Sequence, residues 1–442
     1  MSKKVVLIIV FGVAIAAAVG LSVLLWWLLS DQDEAFSTIK LEGDGLGDVK
    51  FTAALTRIRD AGDLFWWFYP TTAAAGTSRP IILWLDGVTG LPPSLLANFM
   101  MFGPYDVNLN RRSNSWIDAY NLLFVDAPLG TGFSTAQGDT PSDLSTNAQH
   151  LNMMLQSFYS INSEYESSPL YIFGQGDGAQ LALALAIIEP NNLKGVIIGN
   201  GIILPAVALT KLGFYLEELA YIDGNGRNAI EQLSNNVSSL VEGERFEEAF
   251  DEFVRLGDFI NVQAGAVAVN LRHIIDRLNR NSTADYFGYT TYLHYKFSSI
   301  SEAYNFMERV VAPAVGLPRD FSYDAGRSGA IQAFRKFYMN PSTFYVERIL
   351  QETDIPVTFY NGNLDAVSNT PGQLEWVNNL TWVDQQEFLN APRNTLIVNS
   401  LVEGYFRETP RLTFYWMNAA GQAVPLESPV AMRRILNRIT GS

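Results

Sequence analysis

The stretch SPLYIFGQGDGAQLALALA, Ser168 to Ala186, passes from an apolar strand pattern through a glycine-rich corner into a helix pattern. A strand-to-helix corner of the form G-x-S-x-G presents a nucleophile at its apex, because the strained turn lifts that side chain clear of the sheet. The apex residue of this chain is Gly176, which has no side chain to attack with. Asp177 offers a carboxylate, but one position beyond the apex. A general base is equally hard to find. The three histidines are His150, in the helical run before the corner, and His273 and His294, in a later polar stretch, so none follows a strand. No H-E-x-x-H or H-x-H spacing marks a metal site, and with no cysteine there is no thiolate ligand, disulfide or thiol nucleophile. LDGVTG and GQGDGA are glycine-rich but match neither a P-loop nor a full dinucleotide fingerprint, so no cofactor is implied. Ser134, in GTGFS, reads as a turn hydroxyl.

The elements around the corner define a fold class. PIILWLDG (80–87), NLLFVDAPLG (121–130), PLYIFGQG (169–176) and LKGVIIGNG (193–201) are short apolar runs bounded by Gly, Pro, Asn or Asp. Continuous apolar strands of this kind suit a parallel sheet covered on both faces. A helical segment, SDLSTNAQHLNMMLQSFYSI, lies between two of them with Ser142 or Asp143 as N-cap. Alternation of strands and helices predicts a doubly wound, mostly parallel α/β sheet with its ligand site at the strands' carboxyl ends. From about Pro205 to Tyr345 the pattern turns to amphipathic helix, with Leu240, Phe246, Phe250 and Phe253 near one face. Strand character returns in IPVTFYNGNLD (355–365) and LTFYWMNAAGQ (412–422), and the chain closes on a helix, SPVAMRRILNRI.

Six segments, in order, carry a resemblance to the serine carboxypeptidases of the α/β-hydrolase fold, in particular the retinoid-inducible and vitellogenic-like branch. DLFWWFYP is similar to that family's early strand, and WLDGVTG stands where the family has W-L-N-G-G-P-G. FGPYDVN followed by SWIDAYNLLFVDAPLGTGFS resembles its G-P…N…S-W…A-N-L-L-F-x-D-x-P-x-G-T-G-F-S. YIFGQGDGA resembles Y-I-F-G-E-S-Y-G-G, GNLDAVSNTPGQLEWV the Asp-bearing segment, and AAGQAVPLESP the pattern A-G-H-M-V-P-x-D-x-P. The resemblance puts the family's nucleophilic serine at Gly176 and its general-base histidine at Gln422, leaving only the orienting acid, Asp365. It places the oxyanion-hole N–H groups at Val88 and Asp177. The pocket for the substrate's terminal carboxylate falls on Asp86, Gly87, Met101 and Gln175, where Asp86 would meet that carboxylate with a second negative charge.

The first residues follow a different pattern. After Lys3 and Lys4, the segment 5–29 is almost wholly apolar, with Trp26 and Trp27 near its end and Asp31, Asp33 and Glu34 beyond it. That length spans ~30 Å of hydrocarbon, and the charge order predicts a retained signal anchor, with the N-terminus cytoplasmic and the body lumenal or extracellular. The alternative is secretion after signal cleavage. Sequons at Asn236, Asn281 and Asn379 agree with an exported body. A net charge of −15 argues against nucleic acid and against electrostatic adhesion to anionic lipid.

The expected organisation is a cytoplasmic stub and transmembrane anchor (1–35), a first hydrolase part (36–204), a helical cap insertion (205–345) and a second hydrolase part (346–442). The resulting functional expectation is a membrane-anchored, catalytically inactive homologue that binds a protein or peptide, or joins an oligomer or membrane complex. The alternative is an active carboxypeptidase-like hydrolase with a rearranged site. A cleft in use should stay concave and apolar, whereas a scaffold role should leave it plugged.

Overall fold

The computed structural model describes residues 35–74, 76–265, 269–276 and 296–441. The anchor segment 5–29, the sequon at Asn281 and His294 lie outside these residues. Among the described residues no helix is long and apolar enough to cross a membrane.

Among the described residues twelve strands form one sheet: β1 (Phe36–Leu41), β2 (Thr52–Ile58), β3 (Gly62–Tyr69), β4 (Ile81–Leu85), β5 (Asn121–Val125), β6 (Thr135–Ala136), β7 (Leu170–Gln175), β8 (Leu193–Gly199), β9 (Val357–Gly362), β10 (Asn394–Val398), β11 (Leu401–Glu408) and β12 (Leu412–Met417). Their order is β1-β2-β3-β5-β4-β7-β8-β9-β12-β11-β10, with β6 paired to β3. Only the centre, from β5 to β12, is parallel; β1-β2-β3-β5 and β12-β11-β10 are antiparallel. The sheet is therefore mixed rather than mostly parallel. The outer strands alternate exposed and covered positions, a weaker sequence signal than the continuous apolar runs of the centre.

Successive side chains of the central strands feed two apolar layers, as the period of two requires. Leu83, Ile172 and Ile198 enter one layer, and Trp84, Phe173 and Ile197 the other. The first is covered by α1 (Leu144–Ile161) and α2 (Gly178–Ile187). Asp143 caps α1, accepting from Thr146 N–H at 2.8 Å.

Between β8 and β9 the described elements are helical and include α3 (Pro205–Glu218), α4 (Gly224–Glu242), α5 (Phe246–Gln263), α6 (Arg327–Phe334) and α7 (Thr343–Glu352). The amphipathic run expected to carry Leu240 and Phe253 together is divided into α4 and α5, where Glu244 takes a positive φ of 57°. The chain ends on α8 (Pro429–Thr440), which buries Met432 and Ile435 against the second layer.

Candidate functional site

The carboxyl ends of five adjacent parallel strands meet at one place. Asp86, Gly87 and Val88 follow β4, Gly176 and Asp177 follow β7, Asn200 follows β8, Asp365 follows β9 and Gln422 follows β12. Sheet topology thus gathers residues that lie far apart in sequence, at the position where open α/β sheets bind ligands.

Gly176 sits at the corner apex with φ +57°, a left-handed conformation that glycine adopts without steric cost. A Cβ built on it would meet only Gln422 Nε2, at 3.3 Å, so Gln422 faces the apex directly. Asp177 is fully buried and its carboxylate turns back toward the loop after β4. Val88 N–H donates to Asp177 Oδ2 at 2.7 Å, Thr89 N–H to Asp177 Oδ1 at 3.2 Å, and the Thr89 hydroxyl also donates to Oδ1. Gly87 makes room for this, since a Cβ there would stand 2.3 Å from Asp177 Oδ2. Burial raises the Asp177 carboxyl above its ordinary range, and these three donors act in the opposite direction.

Arg272 completes the site from between β8 and β9. Its Nη1 donates to Gln422 Oε1, and its Nη2 to Thr89 O at 3.1 Å. The surrounding backbone is tied to both neighbouring loops. Gln422 N–H donates to Arg272 O, Ala366 N–H to Leu271 O, and Ile274 N–H to Leu364 O, each at 2.8 Å. Arg327 approaches the same loop from its other side, donating to Val88 O and Gly90 O. Three charged side chains therefore occupy the polar backbone of residues 88–90.

Asp365 is saturated as well. Its Oδ1 accepts from Val367 and Ser368 N–H, and its Oδ2 from Asn200 Nδ2 at 2.8 Å. Burial pushes it up to about 6, while the Arg272 charge pulls it down. Gln175 donates to Gln422 O and accepts from Tyr360 Oη at 3.1 Å. Asp86 accepts from Trp84 Nε1 at 2.8 Å, and burial raises it well above the usual carboxylate range. Desolvation thus works against the negative charge that the resemblance set opposite a substrate carboxylate. Met101 is buried in the same lining.

What remains is a cavity of about 10 Å³, at the threshold for a single water, lined by Asp86, Thr89, Gln175, Asp177, Arg272 and Gln422 among others. Little open space is left at the strand ends, the opposite of an open cleft.

His273 adjoins Arg272 at the edge of the site, and the other described candidates sit elsewhere. His150 is buried on α1, where desolvation lowers its pKa, and His273 Nδ1 lies 3.0 Å from Asp276 Oδ1. Ser134 accepts from Phe65 N–H and donates to Asp126 O, a turn hydroxyl as expected. Asn236 and Asn379 are exposed. Sequence reasoning missed Arg272, Arg327 and Thr89. Nothing in the spacing of the first two announces them. Thr89 was legible: it stands at the proline of the W-L-N-G-G-P-G pattern, and unlike proline it supplies an N–H, together with a hydroxyl, to Asp177.

The sheet, the corner and the strand-end site define an α/β-hydrolase fold. Residues 52–442 match the serine carboxypeptidase family, Peptidase S10, and the chain belongs to it. The retinoid-inducible serine carboxypeptidase of Rattus norvegicus is 26% identical over 410 residues, covering 87% of this chain and 90% of that protein. Serine carboxypeptidase S10 family member 1 of Dictyostelium discoideum is 31% identical over 391 residues, covering 84% and 88%. The crystal structure of Kex1Δp, a prohormone-processing carboxypeptidase from Saccharomyces cerevisiae, superposes with a TM-score of 0.73 at 22% identity, covering 91% of this chain and 95% of that one.

Proposed function

We infer that this chain is a catalytically inactive member of the serine carboxypeptidase family, anchored in a membrane by residues 5–29, whose body acts by binding or assembly in a lumenal or extracellular compartment. The observation that carries this reading is the occupation of the Val88 N–H by the Asp177 carboxylate. An oxyanion hole works through donors left free for the charge that develops in the transition state. In this chain the aligned donor is already spent on an internal anion. The resemblance supports the same conclusion at two further points, since glycine at 176 has no nucleophile and the amide of Gln422 cannot take a proton. Loss of either the serine or the histidine alone removes most of a triad enzyme's rate.

The filled cleft favours a partner that engages the outer surface, whether a protein or a second copy, over a peptide held where substrates would lie. The test uses the full chain in detergent or lipid, incubated with a serine-reactive fluorophosphonate and with blocked dipeptides at acidic pH. No covalent adduct and no turnover above a heat-killed control are expected. Adduct formation, or turnover abolished by that reagent, refutes the inactive reading and restores the hydrolase alternative.

A further inference from the structure

The described chain begins at Ala35 on the rim of a groove of about 590 Å³, formed between α1, α2 and α7 beside the start of β1. Its surface includes Phe36, Met153, Ile187 and Ile188, with Phe344 58% and Ile188 39% exposed. No Asp or Glu lines it, in a chain that has 45 of them, and its one charged residue, Arg348, is paired with Glu352 at 2.7 Å.

The connection to the anchor is short. From Leu29 to Ala35 the chain reaches at most ~21 Å when fully extended, at ~3.5 Å per residue. The headgroup layer outside the hydrocarbon takes up ~5–8 Å of that distance. On the anchor reading, the rim of the groove lies within ~13–16 Å of the headgroup surface, and the opposite sheet edge, β10 and β11, is farther from it.

We propose that this groove face, with Phe344 and Ile188 at its exposed edge, is a lipid-docking surface that seats the body on the bilayer beside its own anchor. This rests on the anchor reading. The occupant is a neutral lipid surface, because the groove's lining has no acid for headgroup phosphates to repel, and its single cation, already paired with Glu352, is not the basic cluster that anionic lipid would require. Apolar side chains at a headgroup boundary bury area there while the polar positions of α1 stay hydrated.

The chain has no cysteine, so single labels are unambiguous. Phe344→Cys, Ile188→Cys and, as the remote control, Leu401→Cys are made in the full chain, spin-labelled and reconstituted in phosphatidylcholine nanodiscs. The ratio of collisions with dissolved oxygen to collisions with a water-soluble nickel reagent is expected to be at least threefold higher at 344 and 188 than at 401. Equal ratios at all three positions overturn the docking proposal, as does shielding of 344 and 188 from both reagents, which would mean that the chain's own residues fill the groove. Failure of the chain to co-purify with disc lipid overturns the anchor reading itself, and this proposal with it, and is distinguished by lipid recovery alone.

Discussion

Restoring the aligned serine and histidine should not restore reactivity. In Gly176→Ser the new Cβ meets only Gln422 Nε2, at 3.3 Å, so that flexible amide must give by a few tenths of an ångström, and the backbone cost is ~1–3 kcal/mol for a non-glycine at φ +57°. An imidazole from Gln422→His would face it. The obstacle is elsewhere: the cleft holds about 10 Å³ because Arg272 fills it, and Asp177 occupies the Val88 N–H at 2.7 Å. Adding Arg272→Ala opens the cleft but leaves the oxyanion without its donor, and one such donor is worth ~2.7–4 kcal/mol, or ~10²–10³ in rate. Asp177→Ala then frees that N–H. The assay is the second-order rate of fluorophosphonate labelling in the triple and quadruple variants, with thermal melts confirming that both are folded. The quadruple variant is expected to label at least ~10²-fold faster. Rates within about threefold of each other would refute the claim that Asp177 occupies the hole, since that separation is far below the value of a single donor.

Other consequences are simpler to read. Arg272→Ala alone removes the cation near buried Asp365 and the donors to Gln422 Oε1 and Thr89 O, so a loss of ~1.5–3 kcal/mol is expected by chemical denaturation, with Arg272→Lys recovering only part because one ammonium cannot reproduce both contacts. Stability should fall as pH rises from about 4 to 8. Burial raises Asp126 and Asp365 to about 6, Asp324 to about 7 and Glu427 to about 8, so the folded state holds protons that the unfolded chain releases near pH 4, and the stabilisation present below that point is lost through the folded values. The melting temperature should be several degrees higher at pH 5 than at pH 8, and Glu427→Gln should flatten the upper part of the profile. Chain isolated from eukaryotic membranes should lose mass on treatment with peptide N-glycosidase, and Asn236→Gln with Asn379→Gln should remove most of that shift, because both side chains are exposed. No shift in wild-type chain would argue against an exported body.

The corner at Gly176 could be picked out without coordinates, because an apolar strand followed by a glycine-bearing turn leaves a pattern, whereas Gln422 and Asp365 were marked only by the resemblance of their segments to the family's motifs. The two antiparallel margins of the sheet were less visible. β10 and β11 have one face open to solvent, so their composition resembles that of loops. The burial that works against a charge on Asp86 was not legible, because a sequence shows a residue's type and not its desolvation. Arg272 was the larger omission. It lies 150 residues from the Gln422 it contacts, between helices, with no periodicity to point it inward. By itself the sequence determined the central strands and the corner, since these depend on local backbone geometry, while the resemblance to the family put glycine and glutamine where its serine and histidine stand. Only the tertiary structure decided that Asp177 turns onto the Val88 and Thr89 N–H groups and that a distant guanidinium fills the cleft. Burial and long-range contact set those outcomes, and both arise only when the chain has closed on itself.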